Sequence, residues 1–223
     1  MIEQRIECAG LSVLAIGDPK ADQLVVFLHG RSMEAADLAP FAHSLGVDAR
    51  FLFPDAPLAA EPRGYSCWPV DMELRAARLA GGPSDLCEVD PPGRERVRQA
   101  LGGICAEHGR GKRIVLVGFS QGGMLAMDSV LHGLRPAAMA LLSTSRIAYS
   151  DWLPRLPALK GLPVLVSHGR ADAELAFSAG EAVRDAAILG GADVVWVPHD
   201  GGHEIPLLAW RALKRFIGRQ AGN

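Results

Sequence analysis

The sequence predicts an α/β fold, a mostly parallel central sheet with helices on both faces, in a single domain over residues 1–223. Three observations carry that expectation. Gln23 to Leu28 is a continuous apolar run of strand length, the pattern of a strand buried on both faces. Strand-like and helix-like segments alternate along the chain, as crossover connections between parallel strands require. Ile114-Val115-Leu116-Val117 runs into Gly118-Phe119-Ser120-Gln121-Gly122, a Gly-x-Ser-x-Gly turn, and then into a helical run.

Arg5 to Cys8 and Leu11 to Ile16, parted by Ala9-Gly10, read as an opening hairpin. After the Gln23–Leu28 strand comes His29-Gly30-Arg31-Ser32, then a helix from Glu34 to Leu45 that stops at Gly46. Arg50 to Phe53 is a short strand ended by Pro54-Asp55-Ala56-Pro57. From there to Trp68-Pro69 proline and glycine are frequent and no period is visible, which predicts a long loop of the kind that carries function. Asp71 to Ala80 has the length of a short helix, and Arg94 to His108 carries Val97, Leu101, Ile104 and Cys105 at helical spacing. Beyond the serine turn, Met124, Leu125, Met127, Val130 and Leu131 continue the helix. Ala137–Leu142, Leu162–Val166 and Val194–Val197 are further strands. Phe177 to Leu189 and Leu207 to Ile217 are the last helices.

At 223 residues, with 49% hydrophobic and 22% charged, the chain can bury one sizeable core. Its 23 basic and 25 acidic residues give a net charge of −2 without a block of either sign, so nucleic acid and anionic membrane surfaces are poor partners and a small molecule is a better one. No run approaches the roughly 18 apolar residues of a membrane span, and no signal-peptide pattern opens the chain; a cytoplasmic protein is expected. Cys8, Cys67, Cys87 and Cys105 are scattered, as free thiols rather than metal ligands or a redox pair. Nothing in the composition bears on assembly beyond leaving room for a homodimer.

The serine turn needs partners if it is chemical, because a serine hydroxyl attacks a carbonyl at neutral pH only when an imidazole takes its proton and a carboxylate orients the imidazole. Of the seven histidines, His43, His108 and His132 fall in or at the ends of helices, while His29 and His168 stand at strand ends where they can brace loops. His199 and His203 share the loop Pro198-His199-Asp200-Gly201-Gly202-His203-Glu204. His203, after two glycines and just ahead of the last helix, is preferred, and His199 stays open. Position 207 is leucine, so His-Glu-x-x-His is absent and no metal is expected. For the acid, Asp172 follows Gly169-Arg170-Ala171 at a strand end, 31 residues before His203. Almost as good on sequence is its reading as the N-cap of a helix that starts near Glu174, and Glu174 and Asp151 are weaker candidates for the acid. The order Ser120, Asp172, His203 is that of α/β-hydrolases. The amide of Gln121 and that of Arg31 are the natural oxyanion donors.

With these positions in hand the chain resembles the phospholipase/carboxylesterase family of α/β-hydrolases, which includes bacterial carboxylesterases and acyl-protein thioesterases. The resemblance rests on Phe27-Leu28-His29-Gly30, Phe53-Pro54-Asp55-Ala56-Pro57, Gly118-Phe119-Ser120-Gln121-Gly122-Gly123, His168-Gly169-Arg170-Ala171-Asp172 and Gly201-Gly202-His203, in the family's order. It implies an α/β-hydrolase fold without a large cap domain, Ser120 as nucleophile, Asp172 as orienting acid, His203 as base, and the N–H groups of Arg31 and Gln121 as oxyanion donors. Arg31-Ser32-Met33 and Ala173-Glu174-Leu175-Ala176 depart from its usual sequence.

The expected function is therefore hydrolysis of carboxylic esters, thioesters among them, through an acyl-enzyme and without a cofactor. Lack of a long insertion points to an open site and small or exposed acyl groups. Tyr65, Trp68 and Trp152 are expected in loops at its rim, either shaping an acyl pocket or only anchoring the loops. Two other classes were weighed: a binding or regulatory protein that keeps the fold without turnover, and a nicotinamide-dependent oxidoreductase. The second lacks Gly-x-Gly-x-x-Gly and an acid about 20 residues beyond it.

Overall fold

The computed structural model describes residues 2–220. The chain opens with the antiparallel hairpin β1 (Glu3–Cys8) and β2 (Leu11–Ile16), followed by β3 (Gln23–Leu28), α1 (Ala35–Leu45) and β4 (Arg50–Pro54). Two very short strands, β5 (Leu58–Ala59) and β6 (Tyr65–Ser66), pair within the proline-rich stretch, and α2 (Met72–Ala80) and α3 (Arg94–His108) follow. Next come β7 (Arg113–Phe119), α4 (Gln121–Leu131), β8 (Ala138–Leu142) and α5 (Tyr149–Trp152), which runs on as a 3-10 helix (Leu153–Leu159). β9 (Pro163–Gly169), α6 (Phe177–Leu189), β10 (Asp193–His199) and α7 (Leu207–Gln220) complete it.

Eight strands form one sheet in the order β1-β2-β4-β3-β7-β8-β9-β10, parallel from β4 to β10 and antiparallel at the hairpin edge. The physical cause is visible in β3, where all six residues are buried because strands flank it and helices cover both its faces. One face packs Val97 and Leu101 of α3, Met127 and Val130 of α4 and Val183 of α6. The other packs Leu38 and Ala42 of α1 with Leu213 and Phe216 of α7. The expected layering is what the chain adopts, with β7 in the middle and its carboxyl end at the serine turn. Among the described residues no helix is long and apolar enough to cross a membrane.

α4 is buried along its whole length, and it carries one carboxylate, Asp128, with no exposed surface. Burying such a charge is tolerable only if donors surround it. Arg94 and Arg98, one turn apart on α3, reach it at 2.7 and 2.8 Å, and the Trp152 indole N–H donates to it at 2.7 Å. Arg94 also bonds Asp151 at 2.7 Å, so the cluster locks α3, α4 and α5 together behind the serine turn. This overturns the expected placement of Trp152 at the rim of the site: the residue is fully buried, its indole N–H held by the Asp128 carboxylate of α4. Asp128→Ala leaves Arg98 without its carboxylate and the Trp152 N–H without an acceptor, and is expected to destabilise the fold by about 3–5 kcal/mol, the usual cost of breaking a buried pair. Urea unfolding of the variant and wild type measures it, and a change below about 1 kcal/mol, the usual worth of an exposed pair, would show the cluster to be inert.

Candidate active site

Ser120 sits between β7 and α4 with φ 52° and ψ −118°, a left-sided backbone that a non-glycine residue holds only under constraint from its neighbours. Those neighbours are packed too tightly for side chains. A Cβ on Gly118 would lie 2.4 Å from the Gly122 carbonyl oxygen, and one on Gly122 would lie 2.3 Å from that of Leu28. The Ser120 N–H donates to Leu142 O at 2.8 Å, and Thr144 Oγ1 donates to Ser120 O at 2.9 Å, so β8 fixes the corner from the other side.

The loops after β9 and β10 zip together and bring their polar residues to this corner. Arg170 N–H donates to His199 O at 2.7 Å and Ala171 N–H to Gly201 O at 3.1 Å. The contact is close enough that a Cβ on Gly169 would lie 2.3 Å from the carbonyl oxygens of Gly201 and Gly202. As a result His203 Nδ1 lies 2.7 Å from Asp172 Oδ2, and its Nε2 lies 2.9 Å from Ser120 Oγ. With Asp172 ionised, Nδ1–H donates to the carboxylate and bare Nε2 accepts from the serine hydroxyl. Phe119 packs against the imidazole with ring centroids 5.0 Å apart.

Asp172 stands where its reading as the acid put it, but it is not the N-cap of a helix starting near Glu174: α6 starts at Phe177 with Ala176 as its N-cap, and the carboxylate holds the turn ahead of it. Oδ1 accepts from the N–H groups of Glu174 and Leu175, both at 2.9 Å, bracing the loop before α6, while Oδ2 faces His203. Burial pushes its carboxyl up, but hydrogen bonds from His168, His203 and the Leu175 N–H outweigh that and hold it well below the usual carboxylate range. His168, fully buried, places Nε2 3.1 Å from Leu175 O and 3.3 Å from Asp172 Oδ2, so a second imidazole backs the carboxylate. His199, left open by the sequence, is buried with neither ring nitrogen hydrogen-bonded among the described residues, and burial pushes its pKa down. It is no partner of Ser120.

The loop carrying Arg31 is held from beneath. His29 donates from Nδ1 to Gly30 O at 2.7 Å and accepts from the Ala56 N–H at 3.0 Å, and Asp55 Oδ1 accepts from the Ala35 N–H at 2.6 Å. The Ser32 N–H is taken by Tyr65 O and that of Met33 by Gly30 O, whereas those of Arg31 and Gln121 have no backbone acceptor among the described residues. Both line the cavity that Ser120 and His203 enter. The Gln121 side chain has a role the sequence did not announce. Its Oε1 accepts from the Cys67 N–H at 2.8 Å and its Nε2 donates to Ser66 Oγ at 3.1 Å, tethering the segment after β6 to the start of α4. Cys67 lies within that tether, but burial pushes its thiol up to about 12, which leaves it unreactive.

The cavity measures about 750 Å³, within the usual range for small-molecule sites. Trp68 lines it together with Met33, Leu74, Leu86, Val89 and Leu175. Tyr65 does not; it serves through its backbone, which pairs with Ser32 and Met33 at 2.9 Å, so the expected pocket role is corrected to that of a loop anchor. The open site expected from the lack of an insertion is corrected too. α2 and residues 84–92 wall it in, although α2 buries none of its own residues.

The phospholipase/carboxylesterase family model matches residues 98–219, more than half the chain and the part that holds Ser120, Asp172 and His203. The chain belongs to the phospholipase/carboxylesterase family. A probable carboxylesterase of Oryza sativa subsp. japonica is 31% identical over 170 residues, 71% of each protein. Among solved structures, esterase PE8 superposes with a TM-score of 0.77 at 26% identity, covering 96% of this chain and 99% of that one. Acyl-protein thioesterase 2 of Zea mays does so with a TM-score of 0.77 at 18% identity, over 94% and 99% of the two chains, a likeness of fold. Membership in this family makes the chain a carboxylesterase-like hydrolase with the α/β-hydrolase fold.

Proposed function

We propose that the protein is a single-domain serine hydrolase that cleaves carboxylic esters, and thioesters of similar shape, through an acyl-enzyme. The observation that carries this reading is the unbroken chain from Ser120 Oγ through His203 to Asp172, at 2.9 and 2.7 Å, opening into a largely apolar cavity. His203 takes the Ser120 proton as the hydroxyl oxygen bonds to the carbonyl carbon, and Asp172 stabilises the imidazolium that forms. The carbonyl oxygen, now an oxyanion, lies against the N–H groups of Arg31 and Gln121. Collapse expels the alcohol or thiol, which receives the proton from His203. Water then repeats the sequence on the acyl-serine, with His203 as base, and releases the acid. Every group required comes from the chain, so the reaction calls for no cofactor.

The walled cavity favours acyl groups longer than acetyl, because each buried methylene contributes about 0.8 kcal/mol of apolar transfer energy. Across 4-nitrophenyl esters from acetate to decanoate, kcat/KM is expected to rise from acetate and pass through a maximum at intermediate length. Hydrolysis of none of them, nor of a butyryl thioester, would defeat the reading; an optimum at acetate would defeat only the account of the cavity.

A further inference from the structure

Resting on that reading, we infer that the preferred substrate carries a carboxylate at its end remote from the scissile carbonyl, received by Arg78 on the cavity wall, with Arg31 a second guanidinium lining the same cavity. α2 presents Asp71, Leu74, Arg75, Arg78 and Leu79 to the cavity, a stripe at the spacing of one helix face. Arg31 lines the same cavity from the loop after β3. Among the described residues two of these three guanidinium groups pair with no carboxylate, while each acid that lines the cavity has a hydrogen-bond partner. Glu174 pairs with Arg75 at 2.7 Å, Asp90 with Arg94 at 2.7 Å, and Asp71 caps α2 through the Leu74 N–H at 2.9 Å. Among the described residues Arg31 donates to Ser32 Oγ and Glu61 O, both at 2.9 Å, and to the Met72 sulfur. Arg78 has no hydrogen bond or ion pair to its side chain among the described residues.

The cavity wall thus holds two guanidinium groups, Arg31 and Arg78, that pair with no carboxylate among the described residues, beside the paired Arg75 and the carboxylates of Asp71, Asp90 and Glu174. Burial, and then the charge of Arg75, push the Arg31 pKa down, with Glu174 offsetting only part of this. An anion arriving at an unpaired guanidinium gains charge-assisted hydrogen bonds, which are roughly twice as strong as neutral ones. The Arg75–Glu174 pair on the same wall, one bond at 2.7 Å, shows a guanidinium there holding a carboxylate.

The test compares mono-4-nitrophenyl glutarate with 4-nitrophenyl pentanoate, of matched chain length, in wild type, Arg78→Gln and Arg78→Glu. The readout is the ratio of kcat/KM for the charged ester to that for the neutral one, which cancels general damage to the site. In wild type the ratio is expected to be about ten, carried mainly by KM, and to shrink in about 0.5 M salt as the charges are screened. It should fall about fivefold in Arg78→Gln and below one in Arg78→Glu, as charge-assisted bonds are first lost and then reversed. A wild-type ratio of one or less, or a ratio unmoved by either substitution, overturns the inference while leaving ester hydrolysis in place. Failure of wild type to hydrolyse either ester removes the hydrolase reading and the inference with it.

Discussion

Ser120→Ala is expected to lower kcat on a 4-nitrophenyl ester by roughly 10⁴-fold to 10⁶-fold, the range seen when a triad nucleophile is removed and only binding and oxyanion stabilisation are left. The fold should survive. The Ser120 hydroxyl takes no part in holding the corner, which is fixed by its N–H on Leu142 O and by Thr144 Oγ1 on its carbonyl. Alanine tolerates the positive φ no worse than serine, so the melting temperature should change by a few degrees at most. Circular dichroism and steady-state kinetics on the same preparation check both statements, and retained turnover in a folded variant would contradict the role given to the hydroxyl.

Asp172→Asn is expected to cost about 10⁴-fold in kcat with little change in KM. Its carbonyl oxygen can still accept from the Glu174 and Leu175 N–H groups and keep the loop in place, but its amide is a poor acceptor for the His203 Nδ1–H. The imidazole then favours the tautomer with the proton on Nε2, the wrong nitrogen for taking one from Ser120. Stability separates the two jobs of the carboxylate further. Its folded pKa is depressed, so the stability it adds is present above the unfolded value of about 3.9 and is lost as pH falls through the lower folded value. Urea midpoints of wild type and Asp172→Asn should therefore differ most above about pH 4 and converge as the solution is acidified below it. A gap that widened on acidification would mean that the carboxyl is not held ionised.

The same residue shows how far the sequence could be read. Capping and catalysis competed for Asp172 on paper because a sequence names a side chain and not its two oxygens; in the fold Oδ1 holds the turn at Glu174 and Leu175, short of the start of α6 at Phe177, and Oδ2 faces His203. The sheet was legible because β3 and β7 owe their burial to their own apolar runs, and the serine corner because Gly118 and Gly122 answer a steric demand that is local. The wall of the cavity was harder. From Pro57 to Pro69 the sequence has no period, and α2 buries nothing, so its stripe of Leu74, Arg75 and Arg78 looks like an ordinary solvated helix until the cavity beneath it is known. Trp152 was misplaced for a related reason. Its neighbours Tyr149, Ser150 and Asp151 read as loop, and the carboxylate that draws the ring inward is 24 residues away. A buried aspartate in the otherwise apolar run of α4, with Arg94 and Arg98 one turn apart on the helix before it, was the signal that could have found the cluster. His168 read as a loop brace from its place at a strand end, and it braces Asp172 and Leu175 in the loop that follows, whereas Gln121 gave no signal, since its partners lie 54 and 55 residues away.

The central claim is that acyl transfer goes through the Ser120 oxygen. The most direct measurement mixes wild type with 4-nitrophenyl hexanoate, quenches in acid within the first turnovers and weighs the protein and its proteolytic peptides. The account predicts a burst of nitrophenol and one hexanoyl group per chain, carried by the peptide containing Ser120. Turnover with no covalent adduct, or an adduct on another residue, would contradict it.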